Sequence, residues 1–528
     1  MQHRRTELHQ WCWLSLMALA PGIALRCAVT AKVPYGIFVS DVVDFMETAT
    51  TWMNTHTFVL HPKKTLLVPL LYWVLALCHW PVALAEPILQ HFVGCVTALL
   101  TGLIGRSHFT HWKGMSILLV GLVGLDPNLI SYEHFLMAET FFVCALTLLG
   151  ASCVLYLQRR TWPSFAAVAV ALILMVAARP EGKFFASFAI LIIVFAEWRR
   201  WRLLAMRGSI CLLALASSVF VNQGSEGGVI LYASVVQFTP PQFWCAPDFS
   251  ARIEPIRDEA EQNWNKIDAL LYEFPSGGWL GKKRRELLEA GATVLGYPDA
   301  TSPEAFRAAN RLCFKAAIET VARNPWQVLW LMTKKGDALL SVMPGEPLDK
   351  NSVGSKPLHV MAGHIVGHPM LPEALFGVSF NTVADATSFF HQHYPNGINW
   401  FGHYFQRWKL IENAARIPHK RWRAGNAVLP GLSWIYFVAF GGLVIAMLSR
   451  SPMQKWHVSF GIALTLFCAV LFLTVNFRAR YHLFLEPFLI LYICYFADRS
   501  LQWLAACASG CGTLSLRDKV ARMRRSYN

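Results

Sequence analysis

About ten apolar runs, each near the length of a membrane-crossing helix, set the terms on which this chain of 528 residues can fold. A hydrocarbon core of about 30 Å needs roughly 20 residues of helix. The runs cover residues 11–29, 87–105, 114–130, 135–157, 162–178, 183–198, 208–222, 427–449, 457–475 and 483–498. Composition agrees: 55% of residues are hydrophobic and 15% charged, more apolar and less charged than soluble domains are. The sequence predicts an all-α polytopic membrane protein with about ten transmembrane helices.

The 47 Lys and Arg outnumber the 32 Asp and Glu, for a formal net charge of +15. They fall in short clusters between apolar runs rather than along one face, which is how membrane proteins set orientation and not how nucleic-acid binders are built. Nucleic acid is therefore excluded as a partner. With a cytoplasmic N-terminus, the inner connections hold Arg4 and Arg5, Arg106 and Lys113, Arg159 and Arg160, the Arg199, Arg200, Arg202 and Arg207 cluster, Arg450 and Lys455, and the basic tail. The alternate short connections are poorer in Lys and Arg, as the positive-inside rule requires. The start, MQHRRTELHQ followed by WCWLSLMALAPGIAL, reads as a retained signal anchor. This register makes residues 64–80 a helix on the outer surface. The chain then divides into an N-terminal transmembrane module (1–222) with a first outer loop (30–86), a large mostly helical extracytoplasmic region (223–426), C-terminal transmembrane helices (427–498) and a basic cytoplasmic tail (499–528). Localisation is the cell membrane, multi-pass, with both termini in the cytoplasm.

None of the thirteen cysteines forms a CxxC pair or a zinc-like spacing. Cys245 and Cys313 are the two in the long polar segment, where an oxidising compartment would allow them to pair.

Ionisable groups at a membrane boundary are costly unless paired or used, and here they gather at the outer ends of the runs. The first outer loop brings Asp41, Asp44 and Glu47; the next turn brings Asp126, Glu133, His134 and Glu139; then come Arg179, Glu181 and Lys183, and finally Arg478, Arg480 and His482. Carboxylates and arginines on one rim suit transfer of a group from a lipid-linked phosphate to a hydroxyl, which needs a base for the hydroxyl and cations for the leaving phosphate. Guanidinium binds phosphate bidentately, hence Arg rather than Lys. Asp41, after Ser40, also reads as a helix cap, Asp44 and Glu47 as a solvated first turn, and Arg26 as a snorkelling anchor. Glu139, inside an apolar run, reads as paired or functional. No tight ligand spacing surrounds His134 and His482, so no metal site is assigned; a divalent cation stays open as a cofactor. Neither GxGxxG nor GxxxxGK[ST] occurs.

These segments, in this order, resemble the GT-C class of membrane glycosyltransferases, in the style of the protein O-mannosyltransferase and lipid A aminoarabinose transferase families. In DVVDFMETA, Asp41, Phe45 and Ala49 fit the family's Asp, aromatic, Ala pattern at four-residue steps, with Phe45 in place of the commoner Tyr. VPLLYW (68–73) is similar to the family's KPPLLYW surface helix, with Leu67 where Lys is frequent and Lys63 and Lys64 a turn earlier. DPNLISYEHFLMAETFF, RNPWQVLWL (323–331) and RARYHLFLEPFL resemble further family segments. The resemblance implies that Asp41 is the catalytic base and Glu139 or Glu133 the second acidic residue. It implies that Arg478 and Arg480 face the donor phosphate, with Tyr481, His482, Arg179, Lys64, Tyr72 and Asp44 as further substrate contacts. The expected activity is sugar transfer from a polyprenyl-phosphate donor to an acceptor lipid, glycan or protein on the outer face, with inversion. The alternatives are a polytopic transporter or lipid flippase, or a lipid-linked glycan polymerase or ligase.

Overall fold

The computed structural model describes residues 2–37, 41–58, 65–109, 112, 114–221, 227–240, 242–264, 278–298, 302–332, 366, 371–393, 423–424, 427–428, 434–449, 451, 453–474 and 484–508. It is helical nearly throughout. The helices are α1 (Gln2–Lys32), α2 (Asp41–Thr55), α3 (Leu67–Leu77), α4 (Val82–His108), α5 (Gly114–Gly124), α6 (Pro127–Tyr132), α7 (Glu139–Arg159), α8 (Trp162–Ala178), α9 (Gly182–Glu197) and α10 (Trp201–Val221). There follow α11 (Gly227–Val235), α12 (Pro247–Trp264), α13 (Gly278–Val294), α14 (Pro303–Arg323), α15 (Leu371–Phe376), α16 (Val383–His393), α17 (Trp434–Leu448), α18 (Gln454–Thr474) and α19 (Glu486–Ala508). A two-residue antiparallel pair, Arg423–Ala424 with Ala427–Val428, interrupts the helices.

Among the described residues three helices are long and apolar enough to cross a membrane: Thr6–Lys32, Val82–His108 and Glu139–Arg159. Leu67–Leu77, Gly114–Gly124, Trp162–Ala178, Gly228–Phe238 and Val438–Leu448 are apolar but shorter. At 1.5 Å per residue, the 11 residues of α3 extend about 16 Å, half of a hydrocarbon core. A helix so short does not cross such a core alone, and the same holds for the 11 residues of α5.

Two differences from the boundaries read in the sequence bear on the site. The run at 114–130 is not one helix. It breaks after Gly124 because Pro127 disfavours helical backbone at Asp126, whose carboxylate accepts the Leu129 N–H at 2.9 Å and caps the short α6. The run at 135–157 starts at Glu139, so Glu139 does not lie several residues inside a span but opens α7, where a carboxylate meets the positive end of the helix dipole.

Among the described residues, three large cores, with a small fourth of Ala292, Ala305 and Ala309 between α13 and α14, hold the molecule together. The largest joins α4, α5 and α7–α9 to α17–α19 around Phe142, Tyr156, Phe188, Trp456 and Phe460. The second joins the end of α1 to α2, α3 and the start of α4 through Val33, Phe45, Ala49, Tyr72 and Ala83. The third belongs to α11–α14 and centres on Tyr232, Phe249, Leu287, Cys313 and Ala316. Cys313 is buried there while Cys245 is exposed, and neither thiol is in a disulfide.

Glu319 on α14 ties this third unit together. Its carboxylate accepts the Trp244 and Cys245 N–H groups at 2.7 and 3.2 Å and pairs with Arg323 at 2.6 Å. Burial opposes the charge, but these donors outweigh it and hold the carboxyl below its ordinary value. The unit therefore gains stability from Glu319 above the usual carboxylate range and loses it as the pH falls through the lowered value. Glu319→Gln is expected to cost about 1.5–3 kcal/mol and to flatten that acid dependence, read by hydrogen exchange over α11–α14.

Candidate functional site

The end of α1, the start of α4, the turn between α6 and α7, and the turn between α8 and α9 meet at one end of the bundle. The ionisable side chains they carry bond to one another inside it. Arg26, 3% exposed, makes a bidentate pair with Glu133, 1% exposed: Nε to Oε2 at 2.7 Å and Nη2 to Oε1 at 2.6 Å. Its Nη1 donates to the Gly22 and Gly124 carbonyls. Arg26 is thus not a snorkelling anchor; its partner lies 107 residues away. The same carboxylate meets His91 Nδ1 at 2.8 Å, His91 Nε2 lies 3.3 Å from His134 Nδ1, and His134 Nε2 is 3.2 Å from the Tyr35 carbonyl. Burial, and then the adjacent His91, push His134 down to about 3, so it is uncharged at neutral pH.

This network needs room that only glycine provides. A Cβ at Gly94 would overlap the Glu133 carboxylate. Gly94→Ala is expected to destabilise the protein by about 1–3 kcal/mol, measured by thermal unfolding in detergent. Gly208→Ala, where a Cβ meets nothing within 4 Å, serves as the control that should not lower the midpoint.

A second network lies beside the first. The Tyr72 hydroxyl donates to Glu86 Oε2 at 2.6 Å, and Gln90 Nε2 donates to Glu86 Oε1 at 2.7 Å and to the carbonyls of Phe135 and Met137. All three side chains are buried. The Phe45 ring stands edge-on to Tyr72, with centroids 6.1 Å apart. Phe45 and Ala49 are buried on the face of α2 that packs against α3, and Asp41 precedes them on the same face at four-residue steps, as the first residue of α2. The strand-like segment before it is pinned as well: Gly36 N donates to Ala83 O, Ile37 N to His134 O, and Leu136 N to Ile37 O, at 2.7, 2.7 and 3.1 Å. The Asp41 side chain lies outside the described part. Asp44 and Glu47 are half-buried on α2.

The third network is at the start of α9. Arg179 pairs with Glu139 and, through Nε and Nη2, with Glu181 at 3.1 and 2.9 Å. Its guanidinium also lies 5.0 Å from the centre of the Phe484 ring. Thr65 Oγ1 donates to Ala178 O at 2.7 Å, tying the start of α3 to this turn. Arg179, expected as a substrate contact, has its guanidinium committed to two carboxylates, which neutralise it and set its orientation.

Of the residues expected at the site, Glu133, Glu139, Arg179 and Tyr72 come together at this end, with α2 and Asp41 alongside. Lys64, Arg478, Arg480, Tyr481 and His482 lie outside the described residues. The sequence reading missed Glu86, Gln90 and His91. Their signal was polar residues at i, i+4 and i+5 in an otherwise apolar stretch, LAEPILQHF, a spacing that puts Glu86 and Gln90 on one helix face. No group of three or more His, Cys, Asp or Glu able to hold a metal occurs among the described residues.

No family model matches the chain, and no curated protein matches it. Among solved structures it is similar to the archaeal oligosaccharyltransferase AglB from Archaeoglobus fulgidus, solved in complex with an inhibitory peptide and a dolichol-phosphate. The TM-score is 0.43 and the identity 11%, over 98% of this chain and 54% of that one. The chain spans about half the length of that protein, and at this score the likeness carries no argument about activity.

Proposed function

We propose that the protein is a membrane glycosyltransferase that moves a sugar from a polyprenyl-phosphate carrier to a hydroxyl of a lipid, glycan or protein on the outer face. The observation that carries this reading is the meeting of Arg26, Glu86, Glu133, Glu139 and Arg179 at the bundle end where α2 begins with Asp41. Charged groups so placed are expensive in an apolar surround, and the sequence order of the segments that carry them resembles the GT-C class. In the proposed reaction Asp41 takes the proton of the acceptor hydroxyl. The acceptor oxygen bonds to the anomeric carbon as the bond from that carbon to the phosphate oxygen breaks, and the electron pair leaves with the polyprenyl phosphate. Arg478 and Arg480 are assigned to that developing charge. Glu86 and Tyr72 hold α3 against α4, Phe45 of α2 packs on Tyr72, and Glu139 with Arg179 shapes the rim. The ten-span topology, the outer placement of 223–426 and the acceptor-selecting role of that region belong to the same proposal.

The test supplies synthetic polyprenyl-phosphate sugars to the protein in proteoliposomes and follows both bond cleavage and lipid movement. Release of polyprenyl phosphate in step with sugar appearing on an acceptor supports the reading. Translocation of intact donor across the bilayer without cleavage overturns it in favour of a flippase.

A further inference from the structure

The opposite end of the bundle carries a second constellation, which the proposed transfer does not use. The turn between α7 and α8 exposes Arg159 and Arg160; the turn between α9 and α10 exposes Arg199, Arg200 and Arg202; and Lys455 at the start of α18 is exposed beside them. The two turns are locked together from inside. Arg207 Nη1 donates to Tyr156 Oη and to Glu197 Oε1, each at 2.7 Å, Tyr156 donates to the same Glu197 oxygen at 2.9 Å, and Arg207 Nη2 reaches the Arg160 carbonyl at 3.5 Å. Lys455 Nζ donates to Phe195 O at 3.1 Å, bringing the sixth cation to the same edge. The one acidic side chain in this arrangement, Glu197, is fully buried and neutralised by Arg207, and none of the six exposed cations has an ion pair among the described residues.

We infer that this face is a binding site for the phosphate headgroup of an anionic phospholipid. Three independent features select that occupant. The surface charge is of one sign and unpaired, which complements an anionic leaflet. The N-termini of α8 and α10, helices of 17 and 21 residues, both end at the patch, adding partial positive charge. Trp162, Trp198 and Trp201 stand there 47%, 73% and 70% exposed, as aromatic rings do at headgroup depth. The surface then continues as a lipid would: Val170 and Ile173 on α8 and Leu212 and Leu213 on α10 are exposed along the helices that lead away from the patch, offering apolar ground to acyl chains.

The experiment titrates delipidated, detergent-purified protein with dioleoyl phosphatidylglycerol and dioleoyl phosphatidylcholine and counts bound lipids by native mass spectrometry. Phosphatidylglycerol is expected to bind preferentially. Each arginine removed should weaken it about fivefold, so that Arg199→Gln, Arg200→Gln and Arg202→Gln together nearly abolish the preference and Arg159→Gln with Arg160→Gln reduces it, while phosphatidylcholine binding stays unchanged. All five substitutions fall on exposed side chains, so folding is preserved and the two sets check each other. Equal binding of the two lipids, an unchanged preference in both variant sets, or displacement of the lipid by inorganic phosphate would overturn the inference.

Discussion

Replacing Asp41 by Asn is expected to slow sugar transfer about 10²–10⁴-fold, the usual worth of a positioned general base, while the donor still binds. Asn keeps the size of the side chain but cannot take a proton. Downstream, α2 is held by Phe45 and Ala49 packed toward Tyr72. The variant should therefore unfold at the wild-type temperature, bind a fluorescent polyprenyl-phosphate sugar with wild-type affinity, and fail in single-turnover transfer. Equal turnover would remove Asp41 from the mechanism. A rise in KM with unchanged kcat would make it a binding residue instead.

Glu133→Gln should have the largest effect on stability. It breaks the charge balance of a pair whose members are 3% and 1% exposed, leaving Arg26 buried and uncompensated at a cost of about 3–5 kcal/mol. His91 loses its charged acceptor at the same time. Replacing both members of the pair with apolar residues, Arg26→Met with Glu133→Leu, should recover much of that loss, because no unpaired charge then remains. Thermal unfolding of Arg26→Met, Glu133→Leu and the double variant gives the coupling. A double variant as unstable as the sum of the singles would show that the pair does not act as a unit.

How much of this was legible in the sequence depended on distance along the chain. The helices were visible, because apolar runs and the periodicity of PEAFRAANRLCFKAAIETVARNP report local geometry, and α14 runs over Pro303–Arg323 with Ser302 as its cap. The break at Asp126–Pro127 was written there too, but the apolar count ran through it; a proline after a capping Asp outweighs the hydropathy of its neighbours. What a single sequence does not reveal is partnership at long range. Arg26 stands alone at the end of a run, and only folding brings Glu133 to it. Glu319 is an ordinary helix acid until the Trp244 and Cys245 amides, 75 and 74 residues earlier, close on it. At the candidate site the reading found acids at helix ends, Asp41, Glu133 and Glu139, and missed Glu86, which sits in an apolar stretch with its partner Tyr72 14 residues earlier.

The measurement that bears most directly on the central claim is the configuration at the anomeric carbon of the transferred sugar, determined by NMR on the product formed from a donor of known configuration. A single displacement, with Asp41 as base and polyprenyl phosphate as leaving group, predicts inversion with one lipid phosphate released per sugar transferred. Retention would mean that a covalent or otherwise double displacement occurs, and would contradict the role given to Asp41.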